Sequence, residues 1–447
     1  MAEPKKILLI SYFFAPQNAI GAVRATKLAK YLSRMGHDVT VLCSEGMTGV
    51  NDPTLARDLQ DLADVQIIRE WNPLRDYDAW KRKKKQSDAK VQMQGVQKQP
   101  VNVDAAANPK RSGLKHCMLD AVYRILRQGA DVSFMHCGIR TLCRMEKRFD
   151  IVFSSYGPQS VHRIARKAKQ LGLAKKWIAD FRDVVKFSFR WQKKTELRYV
   201  ARIRKHADEI CGVSQGYLDT MGLGSMGHVI TNGFDEEDLH GLLPRRMWQD
   251  GLLHFAYCGQ MYGSRRDLKP CFHALRELAE EGIIAKEKIR LDYAGKEQDA
   301  DAFLAQAKAC GLEANVYNHG ILPRDEAIRM QLAADVIFIA AWNTPDCAGN
   351  LPGKLLEALM MERPIVCCIS GEVPQSEAAS LIAATGIGCC YEQAEGDASL
   401  QQMKRYLRRI CEAFAEGTKA EAAVHRQQVQ AYTYPAVACK VEALFED

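Results

Sequence analysis

The strongest constraint on the fold is that short apolar runs, typical of buried strands, alternate with segments of helical apolar spacing along most of the chain. The first such unit has a predicted strand at 6–11, a helix at 22–35 and a second strand at 38–43. Strand, helix and strand in this order form a βαβ unit, in which the two strands are parallel. The alternation therefore predicts an α/β protein with parallel sheets.

The alternation occurs in two series that meet near residues 244–246. The first continues with predicted strands at 64–68, 150–154, 176–179, 209–213 and 228–231, and with helices at 159–170 and 192–206. The second has predicted strands at 253–257, 289–294, 316–319, 336–340 and 364–368, and helices at 268–280, 299–310, 324–333 and 353–361. A helical stretch from Leu400 and a last helix at 434–445 follow.

The length of 447 residues is too great for one ordinary core and suits two domains of roughly 200 residues each. We therefore predict two Rossmann-like, doubly wound domains that face each other across a cleft, the first at 1–243 and the second at 244–430. A C-terminal helix within 431–447 is expected to pack back on the first domain.

Composition predicts a globular protein of a reducing compartment. The chain is 47% hydrophobic, but charged residues or Gly interrupt each apolar run before the ~18 residues that a membrane span needs. The apolar run 7–10 is too short for a signal peptide and predicts a first strand. The 15 cysteines are scattered without metal-ligand spacing, which predicts reduced, mostly buried thiols in the cytoplasm and no metal site.

Positive charge is dense between Arg75 and Arg148, where 17 Lys and Arg accompany 7 Asp and Glu, in a chain of net charge +8. An insertion at 72–113 interrupts the strand–helix rhythm and contains the run Lys81–Lys85, and the next segment, 114–126, predicts an amphipathic basic helix. An anionic membrane surface attracts nearby basic residues by about 1 kcal/mol each, whereas a solvated loop explains the run equally well. Nucleic acid is not the expected partner, because the charges lack interleaved aromatic residues.

Four motifs follow predicted strands of the first series, at the sheet edge where ligands of open α/β proteins bind. They are Tyr12–Arg24, with Gly21 at a helix start, and the segments Ser154–Pro158, Asp180–Asp183 and Asn232–Asp235. Gly21 lets backbone N–H groups approach an anion at the positive end of the helix. Each motif also has a purely structural interpretation. In chain order, these are an ordinary βα loop for the first motif, a tight turn for the second, a structural Arg–Asp pair for the third and a hinge turn for the fourth. The absence of G-x-G-x-x-G argues against a dinucleotide site.

The second series has a glycine-rich motif after its first strand. Gly259 and Gly263 precede Arg265 and Arg266. Glycine allows close approach of the backbone, and the guanidinium group matches phosphate oxygens, so this motif suits a diphosphate. A surface loop with solvated Arg side chains is the alternative.

A second motif in this series is the start of a predicted helix at Pro352–Gly353. Lys354 lies in the first turn, and Glu357 follows three residues later on the same face. A phosphate beside Lys354 and a ribose diol beside Glu357 is one interpretation of this spacing. A Lys–Glu pair on the helix surface is the other.

Taken in order, and over nearly the whole chain outside 72–113, these motifs resemble glycosyltransferase family 4. The residues that carry the resemblance are Gly21, Arg24, 36–41, 150–152, 180–183, 213–214, 232–235, Gly259, Gly320, 334–335 and 352–359. The helix motif, L-P-x-K-x-x-E at Leu351–Glu357, is most similar to that of the bacterial envelope-polysaccharide branch.

The resemblance implies a GT-B fold, a nucleotide-diphosphate sugar as donor substrate, a glycan or lipid-linked acceptor, and retention of anomeric configuration. It implies that Lys354 contacts the diphosphate and Glu357 the ribose hydroxyls. The backbone at Gly320–Ile321 would contact the base, and Gly21 would lie beside the diphosphate across the cleft. The motif glycines Gly259 and Gly353 are assigned to the same donor site.

Two positions depart from the family pattern. Many members have a second Glu eight residues before the one that matches Glu357, where this chain has Gly349. Many have an Arg after the glycine that matches Gly259, where this chain has Gln260. Either Arg265 or Arg266 is expected to supply the missing charge. The departures leave a catalytically weak GT-B binding protein as an alternative, beside a sugar-nucleotide epimerase that uses the cleft without an acceptor.

The expected chemistry needs no cofactor. Cations and helix N-termini can stabilise a departing diphosphate without a metal, and no Asp-x-Asp metal motif lies at the end of a predicted strand. The predicted catalytic residues are Lys354, Arg265, Arg266 and Asp183, with Asp183 a candidate base for the acceptor. His162 is a second candidate, and a structural role is its alternative.

Overall fold

The computed structural model describes residues 3–46, 51–77, 80, 114–186, 192–242, 250–263, 265–419 and 421–446. The predicted insertion at 72–113 therefore lies outside the described residues apart from 72–77 and Trp80. The basic run Lys81–Lys85 lies outside them entirely.

The described strands form two parallel sheets. Their bounds are β1 Lys6–Ser11, β2 Asp38–Ser44, β3 Asp64–Ile68, β4 Phe149–Ser155, β5 Ala174–Phe181, β6 Glu209–Gly212, β7 Gly227–Val229, β8 Leu253–Cys258, β9 Ile289–Ala294, β10 Val316–Asn318, β11 Val336–Trp342, β12 Ile365–Ser370 and β13 Gly388–Glu392. The seven-stranded sheet has the order β3-β2-β1-β4-β5-β6-β7, and the six-stranded sheet has the order β10-β9-β8-β11-β12-β13.

The described helices connect these strands. Their bounds are α1 Ile20–Arg34, α2 Pro53–Asp58, α3 Leu114–Arg144, α4 Ser160–Gln170, α5 Lys193–His206, α6 Gln215–Thr220, α7 Lys269–Glu280, α8 Glu297–Ala309, α9 Arg324–Ala333, α10 Gly353–Leu359, α11 Glu377–Thr385, α12 Gly396–Ala415, α13 Arg426–Gln430 and α14 Tyr434–Glu442. None of the described helices is both long and apolar enough to cross a membrane.

Both sheets are doubly wound. Strand order runs outward in both directions from β1 and β4 in the first sheet, and from β8 and β11 in the second. Each sheet therefore has a switch point, and the crevice outside the strand ends at such a point is where open α/β sheets bind ligands. The prediction of two Rossmann-like halves is confirmed.

The second sheet has a hydrophobic core on each face. Phe338 of β11 packs on one side, with Phe255 of β8. Its neighbours Ile337 and Ile339 pack on the other side, with Leu355 of α10. Successive side chains of a strand point to opposite faces, so burial on both faces explains why these strands have continuous apolar sequences.

Helix α3 is much longer than predicted. The sequence predicts a helix at 114–126, whereas the helix continues to Arg144. Gly138 interrupts its apolar pattern, but Ile164 of α4 fills the space there: a Cβ on Gly138 would lie 2.7 Å from the Ile164 Cδ1 atom. Phe134 is fully buried, so packing of the second half against α4 extends the helix.

The second series also extends beyond its last predicted strand. Helix α11 and strand β13 follow β12, and β13 pairs with β12 at the sheet edge. Neither element is among those predicted from the sequence. The strand is five residues long and contains Cys389 and Cys390.

The chain divides into two compact units. One comprises Met1–Asp180 with Val185–Asp208, and the other Phe181–Val184 with Glu209–Asp447. The domain boundary at residue 243 and the packing of the last helix on the first domain stay predictions. Within the second unit, the chain just before α14 forms a parallel bridge between Thr433 and Phe234.

Candidate functional site

Three glycines follow the carboxyl ends of neighbouring strands in the second sheet. Gly259 follows β8, Gly295 follows β9 and Gly320 follows β10. The Gly259 N–H donates to the Ala294 carbonyl at 2.8 Å, and the Gly295 N–H donates to the Gly320 carbonyl at 2.9 Å. A Cβ on Gly295 would lie 2.8 Å from the Gly259 carbonyl oxygen. The backbone at this sheet edge is therefore closely packed and has no side chains at these positions.

Lys354 of α10 lies against the first of these glycines. Its ammonium group donates to the Cys258 carbonyl, and a Cβ on Gly259 would collide with the Lys354 Nζ atom. Gly259 has a φ of +143°, which also favours glycine. Burial lowers the pKa of Lys354. The structure thus brings two predicted site residues together, with a partly buried cation at the switch point of the sheet.

Of the two predicted arginines, Arg266 is the one whose charge acts on Lys354. Burial is the main cause of the lowered Lys354 pKa, and the positive charge of Arg266 contributes to it. The Arg266 Nη1 atom donates to the Gln260 carbonyl at 2.9 Å. Arg265 is exposed, and its guanidinium lies 5.4 Å from the centre of the Trp342 ring. The interpretation that both arginines are fully solvated is therefore wrong for Arg266, which is partly buried and hydrogen-bonded.

Glu357 lies one turn after Lys354 and has a different partner. Its Oε1 atom accepts from the Arg324 Nε and Nη2 atoms at 3.1 and 2.7 Å. Arg324 Nη2 also donates to the buried Asp238 carboxylate at 2.9 Å. Lys354 and Glu357 therefore have separate hydrogen-bond partners and form no direct ion pair, although the negative charge of Glu357 acts on Lys354 and opposes the lowering of its pKa.

Three residues of this site, Arg324, Asp238 and Gly295, are not among those that the sequence motifs indicate. Arg324 begins a predicted helix directly after Pro323, but nothing in its local sequence indicates that the side chain reaches Glu357. Gly295 did carry a signal, since it follows an apolar strand just as Gly259 does. Glycine at successive strand ends of one sheet was the pattern that could have found it.

The remaining predicted donor-binding residues in this unit lie at exposed or unobstructed positions. Ile321 is 74% exposed, an unusual position for a large apolar side chain. Gly320 and Gly353 have open space where a Cβ would lie, and Gly353 is the first residue of α10. These positions leave the surface beside the strand ends unobstructed by their own side chains.

Gly21 and its motif belong to the first unit. Gly21 is in the first turn of α1. In the same helix, Arg24 donates to Asp180 through Nε at 3.0 Å and Nη2 at 2.7 Å, and Ser155 Oγ donates to Asp180 at 2.8 Å. All three side chains are buried. Asp180 thus has a structural arginine partner, but this partner is Arg24 of α1 and not Arg182 of its own motif.

The two candidate bases differ in environment. Asp183 is 64% exposed, with its carboxylate 3.8 Å from the Arg182 Nε atom. His162 is buried, and its Nδ1 atom lies 2.8 Å from Ser154 Oγ, which accepts from the Trp177 indole N–H at 2.8 Å. Burial lowers the pKa of His162 to about 3, so the imidazole is neutral at physiological pH. These contacts support the structural role of His162.

No family model and no curated protein matches the chain. Several solved structures, however, are similar to it over nearly its whole length. Sucrose-phosphate synthase from Thermosynechococcus elongatus superimposes with a TM-score of 0.60 at 14% identity, covering 99% of this chain and 98% of that chain. The N-terminal domain of Candida albicans trehalose-6-phosphate phosphatase gives 0.62 at 9% identity, covering 100% and 98%.

A third structure is WaaG, a glycosyltransferase involved in lipopolysaccharide biosynthesis. Its TM-score is 0.52 at 14% identity, with coverage of 98% of this chain and 99% of that chain. The chain has the GT-B fold. The fold class predicted from the sequence is confirmed, since each likeness spans nearly the whole of both chains.

Proposed function

We propose that this protein is a retaining glycosyltransferase of family 4 that transfers a sugar from a nucleotide-diphosphate sugar to an envelope glycan or a lipid-linked acceptor. The GT-B fold supports the general activity, since sucrose-phosphate synthase and WaaG share it. The sequence motifs from Gly21 to Glu357 support the family, its retaining chemistry and the envelope branch. A cytoplasmic location is part of the proposal.

The observation that carries the proposal is the contact of Lys354 with the Cys258 carbonyl beside Gly259. A partly buried ammonium group whose described hydrogen-bond partner is a neutral carbonyl has positive charge to offer a ligand. Arg266 adds a second positive charge near it. A diphosphate bound here would meet both cations, in a setting of lower dielectric than water, where their interaction is stronger.

Glu357 would serve the ribose. The two hydrogen bonds from Arg324 hold its Oε1 atom in place, and Arg324 is itself held by Asp238. A carboxylate with a fixed position can accept hydrogen bonds from a sugar diol with little loss of side-chain entropy. The exposed Ile321 would contact the base.

In the proposed reaction, Lys354 and Arg266 stabilise the negative charge that develops on the departing diphosphate. This stabilisation is electrostatic and needs no metal. The sugar carbon bonds to the acceptor hydroxyl oxygen as the bond to the diphosphate breaks. The acceptor proton passes to a base, for which Asp183 is our candidate.

A thermal-shift panel of UDP-, GDP-, ADP- and dTDP-sugars tests the proposal. We expect one nucleotide to stabilise the protein, and the Lys354→Met variant to bind it roughly 30-fold more weakly, as loss of about 2 kcal/mol from a charged hydrogen bond predicts. Lys308→Met, an exposed lysine of the same unit, is the matched control and should bind normally.

The outcomes separate the alternatives. If no nucleotide stabilises the protein, the donor site is wrong and a GT-B binding protein remains. If the donor alone is converted to an epimer when no acceptor is present, the protein is a sugar-nucleotide epimerase. Transfer that inverts the anomeric configuration would contradict the family assignment.

A further inference from the structure

One buried hydrogen-bond donor at the edge of the second sheet has no partner in the described part of the chain. Trp342 is the last residue of β11, which lies beside β8 at the switch point of the sheet. Its indole Nε1 atom is buried, and no acceptor among the described residues is within hydrogen-bond distance. The buried indole of Trp177, in contrast, donates to Ser154 Oγ at 2.8 Å. Because nearly all buried N–H groups in proteins are paired, the Trp342 N–H requires an explanation.

A second unused donor lies close to the first. The Arg266 Nε atom is also buried and has no partner among the described residues. The guanidinium group of Arg266 lies 5.9 Å from the centre of the Trp342 ring. Its Nη1 atom donates to two neutral oxygens, the Tyr257 hydroxyl at 3.3 Å and the Gln260 carbonyl at 2.9 Å. Two N–H donors without partners therefore lie near each other, and one of them carries a positive charge.

The charge around Trp342 favours an anion over a neutral ligand. The Arg265 guanidinium lies 5.4 Å from the centre of its ring. Within the described residues, neither Arg265 nor Arg266 forms an ion pair with a carboxylate. The charge of Arg266 also acts on Lys354, whose pKa it helps to lower. A neutral hydroxyl would pair with the unused N–H groups but would leave these charges without a counter-ion, whereas an anionic oxygen serves both.

Trp342 and Lys354 reach the strand ends from opposite faces of the sheet. Phe338 and Ala340, which alternate with Trp342 along β11, pack in the core of one face. Leu355, the neighbour of Lys354 in α10, packs in the core of the other face. A ligand at the carboxyl ends of β8 and β11 would thus have N–H donors and positive charge on both sides.

Two exposed side chains lie over the Trp342 ring and account for the burial of its N–H. Arg265 is one of them. Tyr262 is the other: its ring is 5.4 Å from that of Trp342 at an angle of 75°, and the residue is 45% exposed. Tyr262 has a φ of +49°, which is uncommon outside glycine, and it lies between Gly259 and Gly263. The conformational freedom of the two glycines lets Tyr262 move aside for a ligand.

We propose that the indole N–H of Trp342 and the Nε–H of Arg266 donate hydrogen bonds to the diphosphate of the donor substrate. Lys354 would contact the same diphosphate from the other face of the sheet, and Tyr262 would cover Trp342 until the ligand displaces it. The identity of the anion rests on the proposed function, but the anion site itself does not. Trp342 and Tyr262 are not among the residues that the sequence motifs indicate.

Inorganic pyrophosphate tests the anion site without a nucleotide or a sugar. Trp342→Phe keeps an aromatic ring and removes the N–H, so calorimetric titration of the full chain should show roughly tenfold or more weaker binding, as loss of a hydrogen bond to a charged group predicts. Trp71→Phe makes the same change at an exposed tryptophan of the other unit and should bind like the unmodified protein. Lys354→Met should weaken pyrophosphate binding too, since both residues belong to one site.

The indole N–H resonances of the isotope-labelled full chain report the contact directly. The chain has six tryptophans, and Trp342→Phe identifies the resonance of Trp342 by its absence. We expect pyrophosphate to move this proton resonance downfield, as a hydrogen bond to an anionic oxygen does, and to leave that of Trp71 in place. A role of Trp342 in packing alone would not produce this shift.

Three results would overturn the inference. One is that pyrophosphate does not bind the unmodified protein, and another is that Trp342→Phe, shown by its melting curve to be folded, binds as tightly as Trp71→Phe. The third is a Trp342 resonance that stays in place at saturating pyrophosphate. The proposed function fails separately: if pyrophosphate binds at Trp342 but no nucleotide-sugar of the thermal-shift panel stabilises the protein, the anion site stands and the donor assignment is wrong.

Discussion

At the scale of single residues, the position of the Lys354 side chain requires a glycine at position 259. Gly259→Ala places a methyl group where the Lys354 ammonium group lies and strains a φ of +143°. We expect the unfolding free energy to fall by about 3 kcal/mol or more and donor binding to be lost, because Lys354 must move. Denaturant unfolding and a nucleotide thermal shift measure the two effects.

Gly263→Ala is the matched control for this prediction. Gly263 is in the same loop with a φ of +58°, but a Cβ there would meet nothing within 4 Å. It should cost only about 1 kcal/mol from backbone strain and leave donor affinity unchanged. Equal loss of donor binding in the two variants would show that the loop conformation matters and the space beside Lys354 does not.

Gly349 explains one departure from the family pattern. Its φ is +75°, and a Cβ would lie 2.6 Å from the Gly216 Cα atom and 2.7 Å from the Glu377 Oε1 atom. Glu377 itself accepts from the Gly216 N–H at 2.7 Å. The glutamate that many family members have at this position therefore does not fit in this backbone.

We therefore expect Gly349→Ala to lower the unfolding free energy by about 3 kcal/mol or more. Gly222→Ala, at a φ of +70° with open space around it, should cost about 1 kcal/mol. Chemical denaturation of both variants measures the difference. If Gly349→Glu folds normally and gains activity, the steric explanation of this position is wrong.

At the scale of elements, a buried ion network joins β8, β9 and the end of β10. Both oxygens of the Asp292 carboxylate are used: Oδ2 is 2.7 Å from His254 Nδ1, and Oδ1 is 2.9 Å from His319 Nε2. Burial opposes the protonation of His254, but hydrogen bonds and charges from Asp292 and Asp250 outweigh it and raise the His254 pKa. Burial likewise opposes ionisation of Asp292, but the two histidines lower its pKa.

The two shifts give stability a defined pH dependence. The contribution of His254 is complete below its unfolded pKa of about 6.5 and is lost as pH rises through the higher folded pKa. That of Asp292 is present above its unfolded pKa of about 3.9 and is lost as pH falls through the lower folded pKa. Unfolding free energies measured from acid to alkaline pH should therefore decrease at both ends.

His254→Asn should remove most of the alkaline decrease in stability, because the titrating imidazole is gone. His228→Asn, at an exposed histidine of the same unit, is the control and should keep the dependence of the unmodified protein. An alkaline decrease that is identical in all three proteins would show that His254 does not cause it.

The elements also show what sequence can and cannot predict. Strands such as β1 and β11 are predictable because burial on both faces gives an uninterrupted apolar run. The second half of α3 was missed because its contacts with Ile164 and other distant residues, and not its own periodicity, sustain it. The same holds for the candidate site. Lys354 is recognisable from its local motif. Arg324, in contrast, is 33 residues from Glu357 along the chain, and only the fold brings Arg324 and Glu357 together.

At the scale of the whole molecule, two compact units predict two unfolding transitions. Calorimetry of variants can assign them. Arg24→Ala leaves the buried Asp180 without its main cation and should lower the transition of the first unit by about 3 kcal/mol or more in unfolding free energy. Gly349→Ala should lower the transition of the second unit, and each variant should leave the other transition largely in place.

With the transitions assigned, calorimetry tests where the donor binds. Lys354, Gly259 and Glu357 all belong to the second unit, and a ligand stabilises the unit that binds it, by about 2.7 kcal/mol at a free concentration of about 100 times Kd. We expect the nucleotide that performs best in the thermal-shift panel to raise mainly the second unit's transition, and Lys354→Met to abolish most of that rise. A smaller rise in the first unit's transition, removed by Gly21→Val, would support the contact that the family resemblance implies for Gly21. A rise confined to the first unit would mean that the nucleotide binds elsewhere and that the Lys354 site is not the donor site.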